Sequence, residues 1–223
     1  MNDLFVHPTA IVEEGACIGA GTRVWAYAHV LAGATVGRDC NIGDHCFIEG
    51  GAIVGDDVTI KNGVAVWCGV TLGDGVFVGP GVIFTNDRMP RSRRLPEACE
   101  RYRDERWLER TVVRLGTTLG AGAIVCPGVS LGVFSMVAAG AVVARTVPDH
   151  ALVRGHPARV RGWVCACGER LRPDITTARF GACTRCLRSF EWDLVGLRLI
   201  SRYPPEDQGS SSVPAAGHLR QRP

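Results

Sequence analysis

One pattern limits the fold before anything else does: an apolar residue recurs at every sixth position. From Val12 the series runs Ile18, Val24, Val30, Val36, Ile42, Ile48, Val54, Ile60, Val66, Leu72, Val78 and Phe84, and all but the last are aliphatic. Two residues before each stands a small or β-branched partner, from Ala10, Ala16 and Thr22 through Cys40 and Cys46 to Val76 and Val82. Glycine follows the aliphatic at Gly19, Gly37, Gly43, Gly55, Gly73 and Gly79. The pattern resumes at Leu119, Val125, Leu131, Val137 and Val143. A helix returns its apolar face about every 3.6 residues and a plain strand about every two. A period of six instead describes a short strand and a tight corner, three of which close a triangular coil. The aliphatic fills the interior and the small partner fits the narrow corner. Coils then stack at roughly 4.8 Å. Cys40 and Cys46 fall in the small series and read as core fillers rather than ligands.

Residues 18 apart therefore lie above one another, with Glu49, Trp67 and Thr85 in one stack and Gly50, Cys68 and Asn86 in the next. Both stacks follow the interior aliphatic and are expected at the outer surface.

Composition narrows the class further. The 28 glycines have no collagen triplet, and a net charge of +3 is too small to argue for nucleic acid. The opening MNDLFVHPTA lacks the basic and apolar regions of an export signal, and no apolar run is long enough to span a membrane. Ten cysteines without such a signal point to a reducing cytosol, where metal or packing roles outrank disulfides.

From Arg88 to about Arg110 the period is lost, and Pro90 and Pro96 break it. Arg88, Arg91, Arg93 and Arg94 form a basic cluster beside Asn86, and residues 97–109 are compatible with a short amphipathic helix. So long an excursion from a regular solenoid reads as an active-site flap whose arginines pair with a diphosphate, against the plainer reading of a solvated loop. After the repeat, Pro148 stops the pattern, and Arg154, Arg159 and Arg161 make the next segment basic, suited to phosphate groups. Cys165 and Cys167, then Cys183 and Cys186 after a gap of fifteen, have the spacing of a four-cysteine structural zinc site; free thiols and disulfides stay open. The tail beyond Tyr203 lacks apolar mass and is expected to be disordered.

The hexad pattern resembles the left-handed parallel β-helix of the hexapeptide-repeat acyltransferases over about residues 6–160. The expected organisation is all-β: a β-helix over residues 1–162 with a loop insertion at 87–112, a zinc-ribbon-like module over 163–202, and a tail over 203–223. Three stretches in order, HPTAIVEEGACIGAGTRVW, FTND followed by PRS, and AAGAVVARTVPDHALVRGHPARVRGWVCACG, are similar to one branch, the nucleotide-sugar 3-N-acetyltransferases. The resemblance implies acetyl-CoA-dependent acetylation of the C3 amine of a UDP- or dTDP-linked amino sugar, for surface polysaccharide or glycoconjugate biosynthesis in the cytoplasm. It also implies a homotrimer with active sites between subunits.

By the same resemblance Asn86 sits at the reacting amine. Cys68, Trp67, Glu49, His29, Asp87 and Arg93 would contact the sugar nucleotide, and Gly122, Ala139, Gly140, Arg145 and Arg159 would contact acetyl-CoA. The sequence departs from the branch where an acidic residue is common, here Cys68, and where W-H-F-x-H appears as Trp25-Ala-Tyr-Ala-His29. His7, His29 and His45 lie too far apart for a carbonic-anhydrase-type zinc site. A non-catalytic scaffold, or acetyl transfer to a small non-nucleotide acceptor, remains open at this point.

Overall fold

The structure, a computed structural model, describes residues 3–174, 179–192 and 197–201. Strands mostly of two residues stack in parallel on the three sides of a prism. The first side starts with Phe5–Val6, Arg23–Val24 and Asn41–Ile42 and reaches Met136–Val137. The second runs from Ile11–Val12 through His29–Val30, Phe47–Ile48, Ala65–Val66 and Ile83–Phe84 to Val142–Val143. The third runs from Cys17–Ile18 through Ile53–Val54 and Val70–Leu72 to Ser130–Leu131. The register is one coil, so Val30 opposes Ile48 and Ile48 opposes Val66. This is the all-β parallel helix expected from the repeat.

The interior aliphatics from Val24 to Val143 are at most 2 % exposed. Each such side chain contributes about 1.5–3 kcal/mol relative to leaving it in water. Val12 and Ile18 are only half-buried, because no further coil among the described residues lies beneath the first. The small series shows why cysteine and threonine are accepted there. Thr22 and Thr117 donate to the carbonyls of Gly37 and Gly132 at 2.8 Å, and the thiols of Cys40 and Cys46 donate to Gly55 and Lys61 at 3.1 and 3.2 Å. In each case the partner lies fifteen residues ahead, where the next coil closes the corner.

The insertion leaves and re-enters at one level. Val70 pairs with Thr111 rather than with Arg88, the residue one coil of 18 ahead. The amphipathic helix expected over 97–109 does not form as one piece. The chain makes one α turn at Pro96–Cys99 and 3₁₀ turns at Glu100–Tyr102 and Glu105–Trp107. Asp104 breaks the run: its backbone is extended, and its side chain caps the second 3₁₀ turn by accepting the Arg106 N–H.

After the last coil, Ala151–Gly155 still pairs in parallel with Met136–Val137. The chain then reverses into the antiparallel strands Ala158–Val164 and Arg170–Leu171 on the same sheet. A second, smaller core gathers Cys165, Leu171, Cys183, Phe190 and Leu197, and Trp163 touches both cores. Strand Ala158–Val164 runs across residue 162, where the sequence places a module boundary. The tail expected over 203–223 lies outside the described residues. Among the described residues no helix is long and apolar enough to cross a membrane.

Candidate active site

The corner after the second side carries the two expected stacks. The Asn86 Nδ2 donates to the Cys68 carbonyl one coil below at 3.1 Å, while the Asn86 carbonyl accepts the Glu109 N–H at 3.0 Å. A carbonyl can only accept, so the amide turns its NH₂ inward and its Oδ1 is left as an acceptor. That oxygen has no donor among the described residues. Beneath it, Glu49 Oε2 accepts the Cys68 N–H at 2.8 Å. Two coils lower, Glu13 accepts the Ala32 N–H at 3.0 Å through Oε2 and the His29 Nε2–H at 2.9 Å through Oε1.

The Cys68 thiol is held above its ordinary pKa, first by burial and then by the Glu49 and Glu105 carboxylates, so it stays protonated at neutral pH. Among the described residues no histidine lines the cleft beside it. Glycine makes room for it: a Cβ on Gly51, whose φ is +83°, would lie 2.9 Å from the Cys68 sulfur.

The insertion folds back over this corner to form a cleft of about 510 Å³, within the range of small-molecule sites. Glu13, Glu49, Trp67, Cys68 and Asn86 contribute from the solenoid, and Arg93, Glu105, Trp107 and Leu108 from the insertion. Leu108 seats on Gly69, where a Cβ would meet it at 3.0 Å. Asp87 ties the base of the flap. Its carboxylate accepts from Arg101 at 2.5 Å, from the Tyr102 hydroxyl at 2.9 Å and from the Met89 N–H at 2.9 Å. Burial pushes its pKa up, but these bonds outweigh burial and hold it below the ordinary carboxylate value. Arg88 is likewise engaged, with Glu109 at 2.7 Å and the Pro127 carbonyl at 3.0 Å. Arg93 lies over the rings of Tyr102 and Trp107, 4.7 and 5.0 Å from their centroids.

Of the residues named from the sequence, the fold brings Asn86, Cys68, Trp67, Glu49 and Arg93 into one cleft. His29 stands just below, joined to it through Glu13 and through the aromatic run His29–Phe47–Trp67, with centroid spacings of 5.8 and 5.4 Å. Asp87 and Arg88 spend their charge on the insertion. Gly122, Ala139, Gly140, Arg145 and Arg159 are exposed and do not line the cleft around Asn86. The corner before the second side holds Gly122 and Gly140, where an added Cβ would meet nothing within 4 Å. The whole width of the second side thus separates that smooth edge from Asn86. Glu13, Leu31 and Ala32 were missed, although counting the two stacks back by the repeat reaches them. Glu105, Trp107 and Leu108 carry no such signal, because the insertion has no period.

Two family models match: "Bacterial transferase hexapeptide (six repeats)" over residues 15–50, and "Hexapeptide repeat of succinyl-transferase" over 33–68 and 116–145. The gap between the latter matches spans the insertion. The chain is 48% identical over 168 residues to dTDP-3-amino-3,6-dideoxy-alpha-D-galactopyranose 3-N-acetyltransferase of Aneurinibacillus thermoaerophilus, covering 75% of this chain and 82% of the relative. The chain belongs to the hexapeptide-repeat nucleotide-sugar 3-N-acetyltransferases. Members of this family are built on the left-handed form of the parallel β-helix, which is the fold class of this chain.

More distant matches follow. Galactoside O-acetyltransferase of Lactococcus lactis is 34% identical over 83 residues, covering 37% of this chain and 38% of the relative. The acetyltransferase domain of PglB from Neisseria gonorrhoeae is 21% identical with a TM-score of 0.46, covering 72% of this chain and 58% of that one. The chain therefore spans well under two thirds of that solved structure, and this likeness decides nothing about its activity.

Proposed function

We propose that the chain transfers an acetyl group from acetyl-CoA to the C3 amine of a dTDP- or UDP-linked amino sugar. The observation that carries this is the fixed amide of Asn86, which offers a bare oxygen to the cleft. That oxygen accepts one N–H of the amine and aims the nitrogen lone pair at the thioester carbonyl. The N–C bond forms, the C–S bond breaks, and the proton lost by the amine passes to the departing thiolate of coenzyme A. A neutral amine is nucleophilic enough to need no strong protein base, which agrees with a cleft lined by no histidine among the described residues. The carboxylates of Glu49 and Glu105 draw in an amino sugar as its ammonium, in preference to a neutral hydroxyl acceptor, and the ammonium gives one proton to solvent before the neutral amine attacks. Arg93, already seated on two aromatic rings, supplies the cation for the nucleotide phosphates. The 48% identical relative, named for the dTDP-3-amino-3,6-dideoxygalactose reaction, supports the substrate class.

The working unit in this reading is a homotrimer. Asn86 and the smooth glycine edge at Gly122 and Gly140 lie at opposite edges of one side, so a neighbouring copy is needed to bring such an edge to the amine. Exposed Ile11, Ile53, Phe77 and Ile83 supply apolar contact surface on the prism faces. Gly122, Ala139 and Gly140 then line the pantetheine arm, and Arg145 and Arg159 meet the coenzyme A phosphates. Acetyl-CoA as donor, and ten cysteines without a disulfide, fit a cytoplasmic reaction.

The test is thiol release from acetyl-CoA with dTDP- and UDP-linked 3-amino sugars, and with a galactoside as hydroxyl acceptor. Turnover on an amino sugar and none on the galactoside is expected. Acetyl-CoA binding without turnover on any acceptor would leave a scaffold and overturn the reading.

A further inference from the structure

Four cysteines near the end of the described chain have no part in acyl transfer. Cys165 Sγ lies 3.4 Å from Cys186 Sγ, and Cys167 Sγ lies 3.7 Å from Cys183 Sγ. All four sulfurs lie within 4.8 Å of one another. A disulfide requires sulfurs about 2.05 Å apart, and none of these cysteines is so bonded. Zinc bound at about 2.3 Å by four thiolates in a tetrahedron sets its sulfurs about 3.8 Å apart, close to both measured separations.

Each pair sits on a tight reversal. In the first, the Cys165 N–H donates to the Glu169 carbonyl and the Gly168 N–H returns to Cys165, both at 2.8 Å. In the second, the Cys183 N–H donates to Arg188 at 2.8 Å and the Leu187 N–H returns to Cys183 at 2.9 Å. Gly168 and Leu187 take the left-handed conformation, with φ of +86° and +58°. Two similar knuckles therefore face each other across the sulfurs. The Arg188 guanidinium stands 3.7 Å from Cys186 Sγ, a cation beside an otherwise over-negative centre.

We propose that Cys165, Cys167, Cys183 and Cys186 bind one structural zinc ion, and that this site caps the C-terminal end of the β-helix. Binding releases the thiol protons and needs no oxidant. With all four positions filled by protein, no open position remains for catalysis.

The capping role follows from what the knuckles hold. A solenoid has to cover the apolar interior of its last coil. Here the covering strand Ala158–Val164 runs directly into Cys165. His150, 5 % exposed, donates through Nδ1 to the Val164 carbonyl at 2.9 Å. Its ring packs between Phe134 of the coil and Phe190 of the small core, at 5.7 and 5.1 Å between centroids. Among the described residues the small core has five buried members, two of them cysteines, too few to order it without a staple. The opposite end has no comparable cover among the described residues, and Ile11 there is 56 % exposed.

The test is metal analysis of the purified full chain, followed by hydrogen exchange before and after zinc is stripped with a mercurial and a chelator. About one zinc per chain is expected, and Cys186→Ser should lose it. Cobalt replacement should give intense thiolate charge-transfer bands, a readout independent of whether the serine variant folds. Stripping should lower Tm by more than about 5 °C and raise exchange over Met136–Val164 at least ten-fold, with Val30–Val66 unchanged. Zinc well below one per chain, or a Cys165–Cys186 disulfide, overturns the metal site. Bound zinc whose removal leaves exchange over Met136–Val164 unaltered overturns the capping role.

Discussion

The side-chain amide of Asn86 is tethered to the backbone carbonyl of Cys68, one coil below it, by a single 3.1 Å hydrogen bond. The tether orients the amide before any substrate arrives, which is the preorganisation that a transition state rewards and a ground state does not. Asn86→Ala is expected to lower kcat by about 10²–10³ while KM for both substrates moves only a few-fold. Steady-state thiol release measures this. A large rise in KM with kcat intact would assign Asn86 to binding alone.

Cys68 lies beneath Asn86 in the cleft but is held as a neutral thiol by burial and by Glu49 and Glu105. Cys68→Ser and Cys68→Ala are expected to keep kcat within about three-fold, where loss of an activated nucleophile would cost orders of magnitude. Mass spectrometry after brief acetyl-CoA exposure should find no acetyl group on Cys68. Its detection, with kinetics competent for turnover, would make the residue a nucleophile.

Asp87 anchors the flap, so its titration sets the flap's pH range. Its folded-state pKa is below the ordinary value, so its contribution is complete above the unfolded carboxylate value near 3.8. The contribution is lost as pH falls through the depressed folded value. Between pH 5 and 8 the flap should therefore resist limited proteolysis equally well. Asp87→Asn should open it to cleavage throughout that range and raise KM for the nucleotide sugar. Arg93→Ala should raise the same KM about ten-fold without increasing cleavage, which separates phosphate contact from flap anchoring.

His150 titrates in the opposite part of the fold. Burial lowers its pKa, against weaker upward pulls from the Val164 carbonyl and Asp149. The unfolded chain takes up this proton near pH 6.5, and the folded chain does so only at a lower pH. Stability from this group is complete above about 6.5 and declines as pH falls from there to the depressed folded value. Thermal unfolding at pH 7.5 and 5.5 should show the wild type losing more Tm than His150→Gln. Equal losses would place the acid sensitivity elsewhere.

The solenoid was legible because its core repeats one contact. Ile48 and Val66 answer to the same geometry, so the period alone specifies burial, register and the stacking of Cys68 under Asn86. The cleft was half legible for the same reason: Glu49 and Trp67 belong to the period, and Glu13 follows from counting further back. The flap was not legible, because single side-chain pairs such as Arg88 with Glu109 and Asp87 with Tyr102 order it, and these leave no periodic trace. Asp87 shows the cost of reading by position alone. Its neighbour is Asn86, yet its carboxylate faces the flap. Asp104, which splits the expected helix, acts through a cap that a pattern of apolar residues does not encode.

The pairing of Val70 with Thr111 in place of Arg88 has a consequence for ancestry. Because the chain leaves and rejoins the stack at one level, the coils above and below bear no record of the excursion. The flap can be lengthened, shortened or exchanged in a single genetic event without disturbing the frame that carries it. Substrate preference and mechanical scaffold can therefore diversify on separate schedules, the first by grafting and the second by slow drift of buried aliphatics.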